Sequence, residues 1–196
     1  MNRTAQVRRV TGETNIEITL GLDGKGFYEN DTGVGFLNHM LDLFARHGRF
    51  DLKVRCVGDT CVDDHHSVED VGIALGMAMA QALGDRRGIV RYGSCPLPMD
   101  EALVLTAVDL SGRGSLGWQV AFPTEKIGTF DTELVKEFWL AFTRVLGASV
   151  HFHQFAGENS HHIAEAVFKG AGRALRQAVA IDPDFADEIP STKGTL

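Results

Sequence analysis

Long apolar runs, cysteine pairs and an excess of positive charge are all missing from this sequence of 196 residues. The longest apolar stretch, between Ile73 and Leu83, is too short to cross a bilayer, and the amino terminus lacks the apolar segment of a signal peptide. The 3 cysteines (Cys56, Cys61 and Cys95) form no Cys-x-x-Cys pair, so neither a disulfide framework nor a thiolate zinc site is predicted. We expect a cytoplasmic protein with reduced cysteines.

The charge balance restricts the partners of the protein. The formal net charge is -7, whereas proteins that bind the phosphate backbone of nucleic acids usually carry a basic stripe. We therefore expect neither a nucleic-acid partner nor a membrane partner. A small anionic ligand is compatible with this charge, because a few placed cations suffice to bind it. With 44% apolar residues, the chain is long enough to bury a core.

Periodic apolar residues predict five strands and four helices. Alternating Val, Ile, Leu and Thr residues predict strands at 16–22, 52–57, 102–110, 117–122 and 149–155. Helical spacing predicts helices that end near Gly48, Leu83, Gly147 and Val179. Ser160 is the predicted N-cap of the fourth helix. The glycine-rich segment 21–26 is interpreted as a hairpin turn between strands.

The order of these elements occurs twice. In each half a helix is followed by a glycine, a strand, a loop and a second helix that begins with His-His. His39 precedes His65 by 26 positions (39 to 65), and Glu137 precedes His161 by 24 (137 to 161). We predict two repeat halves, 1–92 and 93–196, each with strands and two helices. They are expected to pack as one α+β body with helices layered on sheets.

Both second helices begin with the pattern His-His-x-x-Glu. Its residues are His65, His66 and Glu69 in the first half, and His161, His162 and Glu165 in the second. On a helix the first His and the Glu are four residues apart and share a face, whereas the second His points about 100° away. One such motif can therefore offer ligands to two metal centres. Imidazole and carboxylate ligands suit manganese, iron or zinc.

A single copy of this motif would fit a capped or solvated helix start equally well, but a second copy at the equivalent point of a repeat favours metal binding. His39 alone would be typical of a core histidine. Its match to Glu137 indicates that both positions reach metal. Two alternatives fit the same motifs: a hydrolase with a bridged dimetal centre, and a non-enzymatic metal-storage or scaffold protein. Product analysis distinguishes the first alternative, and the absence of turnover the second.

Eight segments resemble the imidazoleglycerol-phosphate dehydratase family. They are 9–14 (RVTGET), 35–40 (GFLNHM), 64–70 (DHHSVED), 99–102 (MDEA), 109–113 (DLSGR), 159–165 (NSHHIAE), 168–169 (FK) and 190–194 (PSTKG). The likeness extends over essentially the whole chain. It implies a duplicated ferredoxin-like or ribosomal-protein-S5-like fold and two Mn²⁺ ions in each active site. It also implies a homo-oligomer of about 24 subunits with active sites at the subunit interfaces.

The resemblance also implies roles for individual residues. The expected metal ligands are His39, His65, His66, Glu69, Glu137, His161, His162 and Glu165. Glu13 is the expected acid/base, with Glu69 and Glu165 as further catalytic carboxylates. Substrate and phosphate contacts are expected from Glu13, His39, Arg91, Arg113, His161, Lys169, Ser191, Thr192 and Lys193. Two positions depart from the family pattern, since Glu137 replaces a His of some members and His153 replaces an Arg of many.

The implied reaction is the dehydration of D-erythro-imidazole-glycerol phosphate to imidazole acetol phosphate in histidine biosynthesis. No carbonyl activates the carbon-bound proton, so the electrons must come from the imidazole ring. Metal binding favours loss of the ring proton, and the metal-bound imidazolate can expel the hydroxyl to give a diazafulvene. This scheme needs an acid/base, the role expected of Glu13, and a phosphate that aligns the reacting carbons.

Overall fold

The computed structural model describes residues 3–196, so Met1 and Asn2, with which the predicted first half begins, lie outside the described residues. The first elements are β1 (Thr4–Val10), β2 (Thr14–Gly21), β3 (Tyr28–Asp31), α1 (Gly35–Gly48), β4 (Asp51–Gly58) and α2 (His65–Leu83). They are followed by β5 (Tyr92–Met99), β6 (Ala102–Asp109), β7 (Ser115–Gln119), β8 (Lys126–Ile127), β9 (Phe130–Asp131), α3 (Glu133–Leu146), β10 (Ser149–Ala156) and α4 (Ser160–Ala178). We propose 1–92 and 93–196 as the two halves.

Two four-stranded sheets share one topology. Their strand orders are β1-β2-β4-β3 and β5-β6-β10-β7. In each sheet one edge strand, β3 or β7, is parallel to its neighbour, and the other pairs are antiparallel. The hairpins β1–β2 and β5–β6 match at a constant offset of 88 positions (9 to 97 and 16 to 104), because Arg9 pairs with Ile16 as Leu97 pairs with Val104. The predicted α+β class with duplicated ferredoxin-like halves is confirmed.

The helices lie against the sheets and against one another. Helix α2 packs on β1 and β2 and also contacts α3, while α4 packs on β5 and β6 and contacts α1. Glycines permit these close approaches: a Cβ on Gly72 would lie 2.6 Å from the Phe138 carbonyl oxygen, and a Cβ on Gly172 would lie 2.6 Å from that of Phe44. Each helix pair thus joins one half of the chain to the other. No helix within residues 3–196 is long and apolar enough to cross a membrane.

An aromatic cluster around Trp139 fills the core between the halves. The indole is fully buried, with ring centroids 5.1 to 6.1 Å from those of Phe44, Phe138, Phe142, Phe152 and Phe168. These rings come from α1, α3, β10 and α4. Such contacts among large apolar side chains dominate core energetics, so the two halves share one aromatic centre.

The predicted helix ends are confirmed to within a residue, whereas two local predictions were wrong. Segment 21–26 is not a hairpin turn, because β4 lies between β2 and β3 in the sheet. The N-cap of α4 is Asn159, whose side chain accepts from the N–H groups of His161 and His162. The five predicted strands correspond to β2, β4, β6, β7 and β10, so β1, β3, β5, β8 and β9 were not predicted, and β5 contains Pro96 and Pro98. Proline is tolerated there because β5 is an edge strand.

Candidate metal centre

Three ligand atoms converge beside the start of α4. The Asn159 cap fixes the first turn of this helix and hence the direction of His161. His161 Nε2 lies 3.3 Å from Glu165 Oε1, and His39 Nε2, on α1, lies 2.9 Å from the same oxygen. The three ligand atoms lie within 4.8 Å of one another, the one such group of three His, Cys, Asp or Glu side chains found within residues 3–196. We call His39, His161 and Glu165 the candidate metal centre.

Glu165 is the buried member of the centre, with only 10% of its side chain exposed. Burial by itself would raise the pKa of this carboxyl, but the Lys169 ammonium, 2.6 Å from Oε2, and His39 reverse that effect. The pKa of Glu165 falls to about 2, so the group is ionised at neutral pH. A buried carboxylate beside two imidazole nitrogens suits a divalent cation of the manganese, iron or zinc type. The residues therefore fit the metal that the sequence predicts.

The first His-His-x-x-Glu motif is more open. His65 Nε2 lies 3.9 Å from Glu69 Oε2, which is the i,i+4 relation predicted for the helix. His66 Nδ1 lies 3.0 Å from Asp59 Oδ2, and this hydrogen bond raises the pKa of His66. The other ring nitrogen of His66, Nε2, lies 3.6 Å from Glu13 Oε1. The first motif and the predicted acid/base are thus neighbours at the start of α2.

Glu137 lies on α3 at the position that matches His39 on α1. The α1–α4 and α3–α2 pairs share one register. The carbonyl of Phe44, five residues after His39, faces Gly172 of α4, and the carbonyl of Phe142, five residues after Glu137, faces Gly76 of α2. Glu137 is therefore level with Glu69 at the start of α2, and it is partly buried. No group of three ligand atoms as close as the first forms around it in the described part of the chain.

The substitution Glu137→Gln tests whether this carboxylate binds metal. If it does, loss of its charge should weaken metal affinity by roughly 10- to 100-fold. The affinity is measured by titrating metal into the metal-free protein. Glu133→Gln, which changes an exposed acid one turn earlier on the same face of α3, is the comparison and separates the effect of Glu137 from that of any acid on this face. Unaltered affinity in Glu137→Gln would leave Glu137 as a surface acid.

His162 contacts two acids that the sequence analysis did not select. Its Nδ1 lies 2.7 Å from Glu101 Oε2, and its Nε2 lies 3.7 Å from Asp100 Oδ2. The other oxygen of Glu101 accepts from two backbone N–H groups in the loop between β10 and α4. Glu101 is the counterpart of Glu13 at the offset of 88 positions (13 to 101). Extending the repeat comparison from the helices back to the hairpins would have found it.

These contacts make Glu101 a source of acid sensitivity. The hydrogen bond to His162 and those from the loop lower the pKa of Glu101 from 4.5 to about 2. A depressed pKa contributes stability above pH 4.5 that is lost as the pH falls toward 2. In metal-free Glu101→Gln, the urea midpoint should therefore decrease less steeply between these pH values than in the parent. Glu158→Gln, in the same loop, should keep the parent slope, and equal slopes in all three proteins would contradict the prediction.

The predicted phosphate-binding residues lie in two places. Lys169 contacts the candidate metal centre. The Arg91 guanidinium instead donates to Asp109 at 2.7 Å and to the carbonyl of Pro190 at 2.8 Å, so it lies beside the C-terminal tail. The backbone N–H of Arg91 donates to the carbonyl of Ala178 at the end of α4. Ala178 lies roughly 13 Å along the helix axis from Lys169.

The C-terminal tail completes the second place. Leu196 lies against Gly112, next to the exposed Arg113. Within the tail, the Ser191 hydroxyl accepts from the N–H of Lys193, and Thr192 between them is exposed. Arg91, Arg113 and the tail therefore gather near the end of α4, while Lys169 lies at the middle of this helix.

The fold and the centre define a class: a duplicated α+β protein whose helices bring together a candidate metal-ligand set from the two halves. Comparison with known proteins defines the family. The family model "Imidazoleglycerol-phosphate dehydratase" matches residues 32–175. The imidazoleglycerol-phosphate dehydratase of Jannaschia sp. (strain CCS1) is 62% identical over 194 residues, covering 99% of this chain and 100% of the relative. That of Magnetococcus marinus is 57% identical over 196 residues, covering 100% and 99%.

Solved structures agree with the sequence relatives. The crystal structure of imidazoleglycerol-phosphate dehydratase from Staphylococcus aureus has a TM-score of 0.83 and 39% identity, covering 91% of this chain and 99% of that one. The enzyme from Pyrococcus furiosus, in complex with (S)-C348, has a TM-score of 0.84 and 37% identity, covering 97% and 100%. The chain belongs to the imidazoleglycerol-phosphate dehydratase family and is a hydro-lyase.

Proposed function

We propose that this chain catalyses the manganese-dependent dehydration of D-erythro-imidazole-glycerol phosphate to imidazole acetol phosphate in histidine biosynthesis. The observation that supports this most is the ionised, buried Glu165 between His39 and His161, in a chain of this family. A dimetal hydrolase and a metal-storage protein would share the ligands. Neither alternative accounts for the full-length match to a dehydratase family.

Separate residues of the chain are assigned to metal binding and to proton transfer. A bound divalent cation would supply Lewis acidity toward the substrate's imidazole ring. We assign its ligands to His39, His161 and Glu165 and, outside this three-residue centre, to His65, His66, Glu69, Glu137 and His162. Glu13 is the acid/base: its side chain is half exposed and lies next to His66 without a close hydrogen bond, so it can approach a bound substrate.

Binding of the remote phosphate group would align the reacting carbons of the substrate. We assign phosphate binding to Lys169, Arg91, Arg113 and the 191–193 tail. In one chain Lys169 lies at the middle of α4, whereas Arg91 and the tail lie near its end, roughly 13 Å further along the helix axis. We therefore propose that each site is completed by residues of neighbouring subunits, in a homo-oligomer of about 24 copies. Exposed Phe27, Tyr28 and Phe155 support this, since exposed aromatic residues often mark protein interfaces.

Product analysis tests the proposed function. The purified protein, loaded with Mn²⁺, should convert the phosphorylated imidazole diol to a ketone without releasing phosphate, and chelation should stop turnover. Phosphate release would instead indicate a hydrolase, and bound metal without turnover would indicate a storage protein. Light scattering during the chelator titration measures particle size, and a monomer under all conditions would contradict shared sites.

A further inference from the structure

The turns that carry Glu13 and Glu101 are held in different ways. Glu101 anchors its own turn, because both of its carboxylate oxygens are engaged by His162 and by backbone N–H groups. The Glu13 carboxylate is 52% exposed, and its nearest imidazole nitrogen, on His66, lies 3.6 Å away, beyond hydrogen-bond distance. The Glu13 turn must therefore be held by other groups.

A buried polar triad of Arg9, Thr14 and Asp70 lies beneath the Glu13 turn. Arg9 Nη1 lies 2.5 Å from Asp70 Oδ2, and the Thr14 hydroxyl donates to the same oxygen at 2.5 Å. Thr14 and Asp70 are buried, and Arg9 is largely covered. The triad joins β1 and β2 to α2 at the residue that follows Glu69, so it ties the hairpin to the helix of the first motif.

Hydrogen bonds continue from the triad to the backbone of Glu13. Because the Thr14 hydroxyl donates to Asp70, its oxygen is left to accept from the Thr11 hydroxyl, 3.3 Å away. The Thr11 oxygen accepts in turn from the N–H groups of Glu13, at 3.2 Å, and of Thr14, at 3.0 Å. The position of the Glu13 backbone is thus coupled to Asp70 on α2.

The second half of the chain shows what the fold itself requires here. The positions equivalent to Arg9, Thr14 and Asp70 are Leu97, Ala102 and Ala166 (9 to 97, 14 to 102 and 70 to 166). All three are buried and apolar. A buried ion pair is a weak source of stability compared with apolar residues that fill the same space. Stability therefore does not explain the triad, which occurs in the half whose turn carries the free glutamate.

We propose that the Arg9–Thr14–Asp70 triad positions Glu13 for proton transfer. The triad connects the β1–β2 turn to α2 through side chains and backbone N–H groups. The Glu13 carboxylate is therefore not needed to hold the turn and remains without a hydrogen bond beside His66. In the second half the glutamate itself supplies the anchor, and the triad is absent. The proposal rests on the acid/base role of Glu13 proposed above.

The test exchanges the triad for the residues of the second half. The triple variant Arg9→Leu, Thr14→Ala, Asp70→Ala leaves no unpaired buried charge. It should therefore fold and have the same particle size in light scattering as the parent. Its kcat should fall by about 10- to 100-fold through misplacement of Glu13, with KM and manganese content nearly unchanged. Amide hydrogen exchange at residues 11–14 should become faster. Arg8→Gln, on the exposed face of β1, is the control and should keep the parent values.

A double-mutant cycle with Glu13→Gln separates positioning from general structure. In the Glu13→Gln background the triple exchange should lower kcat by less than about twofold, because the triad acts through Glu13. A full further loss in that background, or a parent-like kcat in the triple variant, overturns the proposal. A parent-like kcat in Glu13→Gln alone overturns the acid/base role and the triad proposal with it.

A second pair of variants covers a failure of the triple variant to fold. Thr14→Ser keeps the hydroxyl and should keep kcat, whereas Thr14→Ala removes it and should lower kcat. Equal kcat in these two variants would contradict the coupling of the turn to Asp70.

Discussion

Glu13→Gln is expected to lower kcat by about 10²- to 10⁴-fold, which corresponds to roughly 3 to 5 kcal/mol of barrier. The amide keeps the shape of the side chain and removes its titrating group. The Glu13 carboxylate is half exposed and 3.6 Å from His66 Nε2, so the change leaves the His-His-x-x-Glu side chains where they are. Metal content and KM should therefore change little. Steady-state kinetics at matched manganese concentration measures both parameters.

The control for this variant is Glu17→Gln. Glu17 lies on β2, four residues after Glu13, and its exposed side chain pairs with Arg8 on the neighbouring strand. It should show the parent kcat. Near-parent turnover in Glu13→Gln would mean that Glu13 only begins the strand at the surface, and it would remove this residue from the mechanism.

Glu165→Gln is expected to lower metal affinity at the candidate centre by at least about 100-fold, more than a disturbed outer contact would. One oxygen of Glu165 lies near the Nε2 atoms of both His39 and His161, and the other is bound to Lys169. The neutral amide therefore weakens the ligand set and also leaves the largely buried ammonium without its partner. Metal content after gel filtration and a titration of the metal-free protein measure the loss.

Two comparisons make the Glu165 result specific. Glu158→Gln removes an exposed acid at the same end of α4 and should keep the parent affinity. In Glu165→Gln, excess Mn²⁺ should restore part of the turnover, because the two histidines remain. Parent-like metal affinity in Glu165→Gln would show that the cation binds elsewhere.

The sequence predicted those features that depend on local periodicity. The four helices follow from apolar residues at helical spacing, and the pairing of His161 with Glu165 follows from the four-residue separation on α4. The contact of His39 with Glu165 spans 126 positions. It depends on how α1 packs on α4, which no local pattern contains. For the same reason the sequence suggested equal roles for His39 and Glu137, although only His39 joins a close three-ligand group within the described residues.

Strand and site residues outside the two motifs were harder to predict. Strand β5 was missed because its prolines indicate an irregular segment, and only its place at the sheet edge makes them acceptable. Glu101 was missed because an acid in a tight turn is typical of any surface hairpin. Its meaning depends on His162, 61 positions away, and on the loop N–H groups that it accepts from.

The glycine at the contact of α1 and α4 has a consequence for how this sequence can change. A methyl group at Gly172 would meet the carbonyl of Phe44 at 2.6 Å, so alanine there forces the two helices apart. His39 is on one of these helices and Glu165 is on the other, roughly two turns from Gly172. Widening the gap therefore lengthens the 2.9 Å contact between them. Substitution of Gly172 is therefore limited by the geometry of a site that Gly172 does not contact. A Gly172 variant can fold well and still be inactive.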